Sequence, residues 1–423
     1  MARDERRRAG ALKVGSALGA PRSALLAAAL LLLASVATSM AGHGPPAPLA
    51  RAPEVAGAHL DPVAYSHLPG WQQDAAGEAF RAFLASCGAL AAPPSERGPT
   101  SNPALLPGLR HACAAALALG TSKPSDQVAR LFFEANFRAY RIVPEANPPG
   151  FLTGYYEVEV EGSRVPTAEF TVPVYARPKD LIPTAPPSES NRGGALRKEG
   201  DRLVPYHDRA AIEDGALKDQ GLEICYLRHP VDLFFMQIQG SGRIRLTDGG
   251  VLRLNYDGHN GYPYLPVGRL LIQRGLVPRN EMSMERIRAY IEADPAAGRA
   301  LMRENRSFVF FKAVDLPAEA GALGAEGVPL TPLRSIAVDR ARHGYGTPFF
   351  ISAELPLGGP APAPFRHLMI AQDTGSAIVG PARADLFFGA GAEAGRIAGG
   401  IRHAGDFFLL APRQVPASAG ASR

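Results

Sequence analysis

Apolar positions in this chain change their period near residue 150. Before it they recur every three to four residues. Phe80, Phe83, Leu84 and Cys87 share one helical face, and Leu105, Leu109, Ala112, Cys113 and Ala116 share another. Ser125 stands as the N-cap of a third helix through Leu131, Phe132, Phe133 and Phe137. These helices predict a layer packed on the sheet that follows. From Phe151 the pattern turns to strands, with alternation clearest in Val158-Glu159-Val160-Glu161, then Pro173-Val174-Tyr175-Ala176. Residues 188–199 read as a polar loop. Phe234-Phe235-Met236-Gln237-Ile238-Gln239 reads as an apolar strand ended by Gly240-Ser241-Gly242. Residues 243–246 and 251–254 flank Asp248-Gly249-Gly250, a hairpin signal. Helical patterns cover 267–274 and 283–302, and strand resumes over 307–312. Beyond residue 320 come short strands with Gly and Pro turns and one short helix over 393–398. The chain is mainly β with helices.

Charge changes this picture at the N-terminus. Residues 1–41 carry a net +4 (Arg3, Arg6, Arg7, Arg8, Lys13 and Arg22 against Asp4 and Glu5), which leaves +1 of the chain's formal +5 for the rest. No basic stripe remains to suggest nucleic acid. The basic start, the apolar run over 24–36 and the small residues after it read as an export signal, cleaved after Ala37 or Ala41. Retention as an uncleaved membrane anchor is the alternative. No cysteine follows the run, so no lipid anchor is expected. Residues 42–60, rich in Pro, Ala and Gly, read as a linker, and 413–423 as a disordered tail. An oxidising compartment permits a Cys87–Cys113 disulfide; the alternative is two buried thiols.

Three aspartates carry the candidate chemistry. Asp339, Asp373 and Asp385 each interrupt or end an apolar run. A carboxyl that cannot ionise cheaply holds its proton toward neutral pH, as a general acid must. Any one of them alone fits an Asx turn; three together point to a site. Asp373-Thr374-Gly375-Ser376 has the form of an aspartic protease loop, but that chemistry needs two such loops and the chain has one. Gly240-Ser241-Gly242 lacks the pattern of a phosphate loop and suits a tight turn lining a groove. Read as strand residues, Gln237 and Gln239 share a face, and their amides suit sugar hydroxyl and acetamido groups; a solvated polar face is the plain alternative. Tyr155, Tyr156, Tyr262, Tyr264 and Phe151 could stack on sugar rings or simply fill the core. Neither a metal-ligand pattern nor a nucleophilic serine elbow occurs, and no cofactor is expected.

Several motifs in order resemble the membrane-bound lytic murein transglycosylase A family. They are Thr153-Gly154-Tyr155-Tyr156-Glu157, then Gln237-Ile238-Gln239-Gly240-Ser241-Gly242, residues 258–266, Asn305-Arg306-Ser307-Phe308, and the terminal three-aspartate segment. The resemblance implies a double-psi β-barrel domain, built from 61–159 with its helices and from 309–412. A second β domain is inserted over 160–308, with a glycan groove between the two. It implies an exo-acting cut of the β-1,4 bond between N-acetylmuramic acid and N-acetylglucosamine in peptidoglycan, forming 1,6-anhydromuramic ends. Asp385 would be the acid and Asp373 its support. Thr153, Gly154, Tyr155, Gln237, Gln239, Gly240, Ser241, Tyr264 and Asp339 would contact substrate. The expected setting is the periplasm, as a monomer, with the glycan strand and a wall-remodelling complex as partners. A non-catalytic peptidoglycan-binding barrel is the competing reading.

Overall fold

The computed structural model describes residues 53–92, 103–146, 149–184, 194–359 and 361–413. The expected signal segment, most of the linker and the tail from 414 lie outside the described residues. The first part holds β1 (Ala58–Val63), α1 (Ala76–Ala91), α2 (Leu106–Ala118), α3 (Asp126–Asn136), β2 (Phe137–Pro144) and β3 (Phe151–Ser163). The middle supplies β4 (Val172–Tyr175), β5 (Ile182–Pro183), β6 (Ala195–Glu199), β7 (Arg202–Pro205), β8 (Glu223–Leu227), α4 (Pro230–Gln239), β9 (Ser241–Leu246) and β10 (Val251–His259). It ends with α5 (Val267–Gln273), α6 (Met284–Ala293), α7 (Pro295–Glu304) and β11 (Val309–Ala313). The last part holds β12 (Ser335–Val338), β13 (Pro348–Leu355), β14 (Ala363–Asp373), β15 (Arg383–Ala390), α8 (Gly391–Ala398) and β16 (Arg402–Pro412).

Six strands close on themselves in the order β3-β15-β12-β14-β13-β16, because β16 pairs back onto β3. Two of the joints, β12 with β14 and β15 with β3, are parallel. Period-two alternation places Phe349, Ile351, Met369, Ala371, Phe407 and Leu409 inside the ring. Their neighbours Phe350, Leu368, Ile370, Phe408 and Leu410 face outward and are covered by Trp71, Phe80, Phe83, Phe132 and Phe133 of the helical layer. These strands are therefore apolar on both faces, as a sheet covered on both sides must be. Arg334 ties the layers together, donating through Nη1 to both carboxylate oxygens of the buried Asp74 at 2.8 and 3.1 Å.

β3 is longer than the ring requires. Its far half pairs in parallel with β9 and starts a second sheet completed by β4, β8, β10 and β11. Where the strand crosses over, Glu157 is buried and bridged by Arg253 and Arg243. β11 pairs with β10, so the insert runs past the expected boundary at 308 to Ala313.

Several local expectations change. The run Phe234-Phe235-Met236-Gln237-Ile238-Gln239 is helix α4, opened by Pro230 at its first turn and ended by Gly240 in the left-handed region at φ 82°. Phe137 begins β2 rather than ending α3, whose Ser125 cap does accept from Val128 N at 3.3 Å. The helix over 283–302 is two, because Asp294 ends α6 and caps α7. β1 takes residues 58–60 from the expected linker, and β6 takes 195–199 from the expected polar loop.

Cys87 of α1 and Cys113 of α2 form a disulfide with Cα atoms 5.4 Å apart. It closes a span of 26 residues, which in the chain-entropy account stabilises by about 3 kcal/mol. The Cys87→Ala/Cys113→Ala double variant should lose roughly that amount in urea unfolding under oxidising conditions. Unchanged stability would show that the helical layer does not need the crosslink.

Candidate active site

Residues of the ring and of the insert line one cavity of about 690 Å³. The ring contributes Thr153, Tyr155, Ala337, Asp373 and Asp385; the insert contributes Gln237, Gln239, Tyr264 and Met284. Strand register explains why the ring residues meet. Asp385 of β15 lies directly beside Thr153 of β3, and on its other side beside Ala337 of β12. Past a bulge, Ala337 also pairs with Asp373. The two aspartates therefore stand two strand spacings apart, roughly 10 Å between backbones, with one small residue between them.

Asp385 is recessed but keeps some solvent access. Its Oδ1 accepts from Thr153 Oγ1 at 2.6 Å. Burial pushes its carboxyl up to about 6; the Thr153 hydrogen bond and the Arg383 charge pull the other way, and the Asp373 charge adds to the rise. Asp373 is also raised by burial, opposed by hydrogen bonds from Ala325 N, Thr374 N and Tyr155. Both its oxygens are taken: Oδ2 accepts from Tyr155 Oη at 2.8 Å and Oδ1 from Ala325 N at 2.9 Å. Burial and the nearby Asp373 charge hold the Tyr155 phenol well above its usual range, so it remains a donor.

The insert wall is held from behind. Arg209, 2% exposed, lies over Phe234 and Phe308 and donates to Gln237 Oε1 at 2.7 Å. Gln237 in turn donates to Val309 O at 3.0 Å. Gln239 leaves the helix on another side and accepts from Tyr156 N at 3.1 Å, bridging α4 to β3. On the ring wall, a side chain at Gly154 would come within 2.8 Å of Ala398 in α8, so only glycine permits that approach.

Three expected contacts lie elsewhere. Gly240 is the C-terminal stop of α4, and Ser241 is buried at the start of β9; neither lines the cavity. Asp339 is off the groove, where its carboxylate accepts from Ala341 N, Arg342 Nε and Gly380 N and so pins the loop that follows Asp373. Of the aromatic candidates, Tyr155 and Tyr264 line the cavity, whereas Tyr262 donates to Tyr206 O. Arg383, Arg269, Arg279 and Arg402 also line the cavity, and none of them was among the residues expected there from sequence. Only Arg383 left a trace, two residues before Asp385 and so on the same strand face.

A carboxyl raised from an unfolded value of about 3.9 to about 6 in the fold stabilises less as pH rises through that window. Asp385→Asn, which keeps the acceptor for Thr153, should therefore stabilise the protein at pH 8 by up to about 3 kcal/mol and change little at pH 3. Equal Tm gains at both pH values would contradict the raised proton affinity.

Residues 151–312 match the MltA specific insert domain, and residues 334–411 match the 3D domain. The membrane-bound lytic murein transglycosylase A of Vibrio cholerae serotype O1 is 37% identical over 274 residues, spanning 63% of this chain and 67% of that protein. The crystal structure of a membrane-bound lytic murein transglycosylase from Agrobacterium tumefaciens is 36% identical with a TM-score of 0.75, over 84% of this chain and 98% of that one. Escherichia coli MltA with bound chitohexaose is 26% identical with a TM-score of 0.60, over 85% and 93% of the two chains. With the insert and the 3D segment both matched, and with relatives of this identity and coverage, the chain belongs to the membrane-bound lytic murein transglycosylase A family.

Proposed function

We propose that this protein is a lytic transglycosylase that cuts the β-1,4 bond between N-acetylmuramic acid and N-acetylglucosamine, with Asp385 as its single acid and base. The observation that carries this reading is the cavity's pair of unlike carboxyls. Asp385 has one oxygen without a hydrogen-bond partner among the described residues, and its proton affinity is raised to about 6. Asp373 has both oxygens engaged. A hydrolase of the usual kind needs a second free carboxylate as base or nucleophile. Here Asp385 donates its proton to the bridging oxygen as the bond to muramic C1 breaks. The C6 hydroxyl oxygen of the same sugar then attacks C1, and its proton returns to Asp385. That nucleophile is tethered to the reacting centre, which supplies the proximity advantage. Asp373 supports Asp385 through charge repulsion, which favours the protonated acid.

A relative's complex with chitohexaose supports a glycan chain as the ligand of this protein. The exposed Arg269, Arg279 and Arg402 line the cavity with no carboxylate within ion-pair distance among the described residues. They suit the carboxylates that a muramic strand carries. The two parallel joints within a closed six-stranded ring support reading it as a double-psi β-barrel. The disulfide suits an exported protein working in the periplasm.

Wild-type protein acting on purified peptidoglycan should release anhydromuropeptides, and Asp385→Asn should lose at least about a thousandfold in rate, as removal of an essential acid does. Asp373→Asn should be impaired less. Mass spectrometry in heavy-oxygen water decides the chemistry: labelled reducing ends in the wild-type products would make the enzyme a hydrolase.

A further inference from the structure

We propose that Arg383 is a positioning residue that orients the Thr153 hydroxyl and so fixes which oxygen of Asp385 carries the transferable proton. This rests on the transglycosylase reading above but goes beyond it. Arg383 Nη2 donates to Thr153 Oγ1 at 2.7 Å, and Thr153 Oγ1 lies 2.6 Å from Asp385 Oδ1. A guanidinium has donors only, whereas a threonine hydroxyl has one hydrogen and two lone pairs. Arg383 therefore occupies a lone pair of Thr153. The arrangement that uses every donor sends the hydroxyl hydrogen to Asp385 Oδ1. Oδ1 is then an acceptor, and the acid's own proton belongs on Oδ2, the oxygen without a partner among the described residues.

A merely structural arginine would be placed otherwise. The Arg383 guanidinium is largely out of water, and burial pulls its proton affinity down. No carboxylate lies within ion-pair distance of it among the described residues. Its contacts are Thr153, the Ala384 carbonyl and the Phe151 ring, whose centroid is 5.4 Å away. Burying a cation without a directly paired anion is costly, and here the charge reaches Asp385 through one hydroxyl. The titratable and charged groups about Asp385 are Arg383 on its own strand, Tyr155 on β3, Asp373 on β14 and Arg402 on β16. β12 contributes the neutral Ala337.

The test uses the full chain and two readouts, the pH midpoint of the Asp385 carboxyl by carbon-13 NMR without substrate and the pH profile of anhydro-end release. Arg383→Gln and Thr153→Val should each move the midpoint and the alkaline limb up by about one pH unit, since each removes a group that favours the carboxylate. Each should lower kcat about tenfold with KM within about twofold. The double variant should match either single one, because both break the same chain of contacts. Thr153→Ser, which keeps the hydroxyl, should restore wild-type behaviour. Additive shifts in the double variant, or an unmoved midpoint in Arg383→Gln, would overturn the proposal. Should Arg383→Gln not fold, an unmoved midpoint in Thr153→Val is sufficient to overturn it. If wild type forms no anhydro ends, the functional reading fails, while the NMR midpoints still decide the positioning role.

Discussion

The parallel pairing of β15 with β3 is the constraint on which the groove depends. It sets Asp385 beside Thr153 and, through the next joint, opposite Ala337. A slip of one residue would turn every side chain on β15 to the other face. Asp385 would then enter the ring interior, and Leu386, now fully buried there, would face the groove. The closed ring prevents such a slip because each strand is held on both sides. Its interior is packed with large apolar residues, so the register that fills the core is also the one that presents Asp385 to the groove.

Function here works against stability, and the surrounding structure offsets the cost. A carboxyl kept from water is a poor carboxylate, which suits an acid and burdens the fold. The opposite wall shows the same economy of means. Gln237 cannot turn away, because its oxygen is held by Arg209 and its amide by Val309. Asp373 is fixed from two sides by a buried phenol and a backbone N–H. Gln237 and Asp373 are thus each held by two contacts, and polar groups held in this way need little reorganisation when a ligand enters.

Much of this was legible in the sequence. The helical layer, the hairpin around Asp248-Gly249-Gly250 and the aspartates emerging from apolar strands all carried local periodicity or turn chemistry. The α4 segment did not. Phe234, Phe235 and Met236 are buried on every side, so the run has no period and looks like a core strand. Pro230 at the first turn and Gly240 after the last were the available helix signals. The closed ring was legible only through the family resemblance: its parallel joint of β15 with β3 links segments more than two hundred residues apart, and no local pattern encodes such a pairing. Arg383 and the groove arginines were missed because an exposed-looking arginine on a strand is indistinguishable from a solvated one until its neighbours are known. Asp339 misled in the opposite sense, for a buried aspartate that organises a loop has the same sequence signature as one that does chemistry.

The central claim is that Asp385, and not Asp373, meets the scissile bond. A crystal structure of Asp385→Asn with an alternating N-acetylglucosamine–N-acetylmuramic acid strand tests it most directly. The account predicts a bridging glycosidic oxygen within hydrogen-bond distance of the side chain at 385, about 3 Å, with Asp373 still held by Tyr155 and Ala325. A strand whose scissile oxygen lies against Asp373 instead, with residue 385 out of reach, would contradict it.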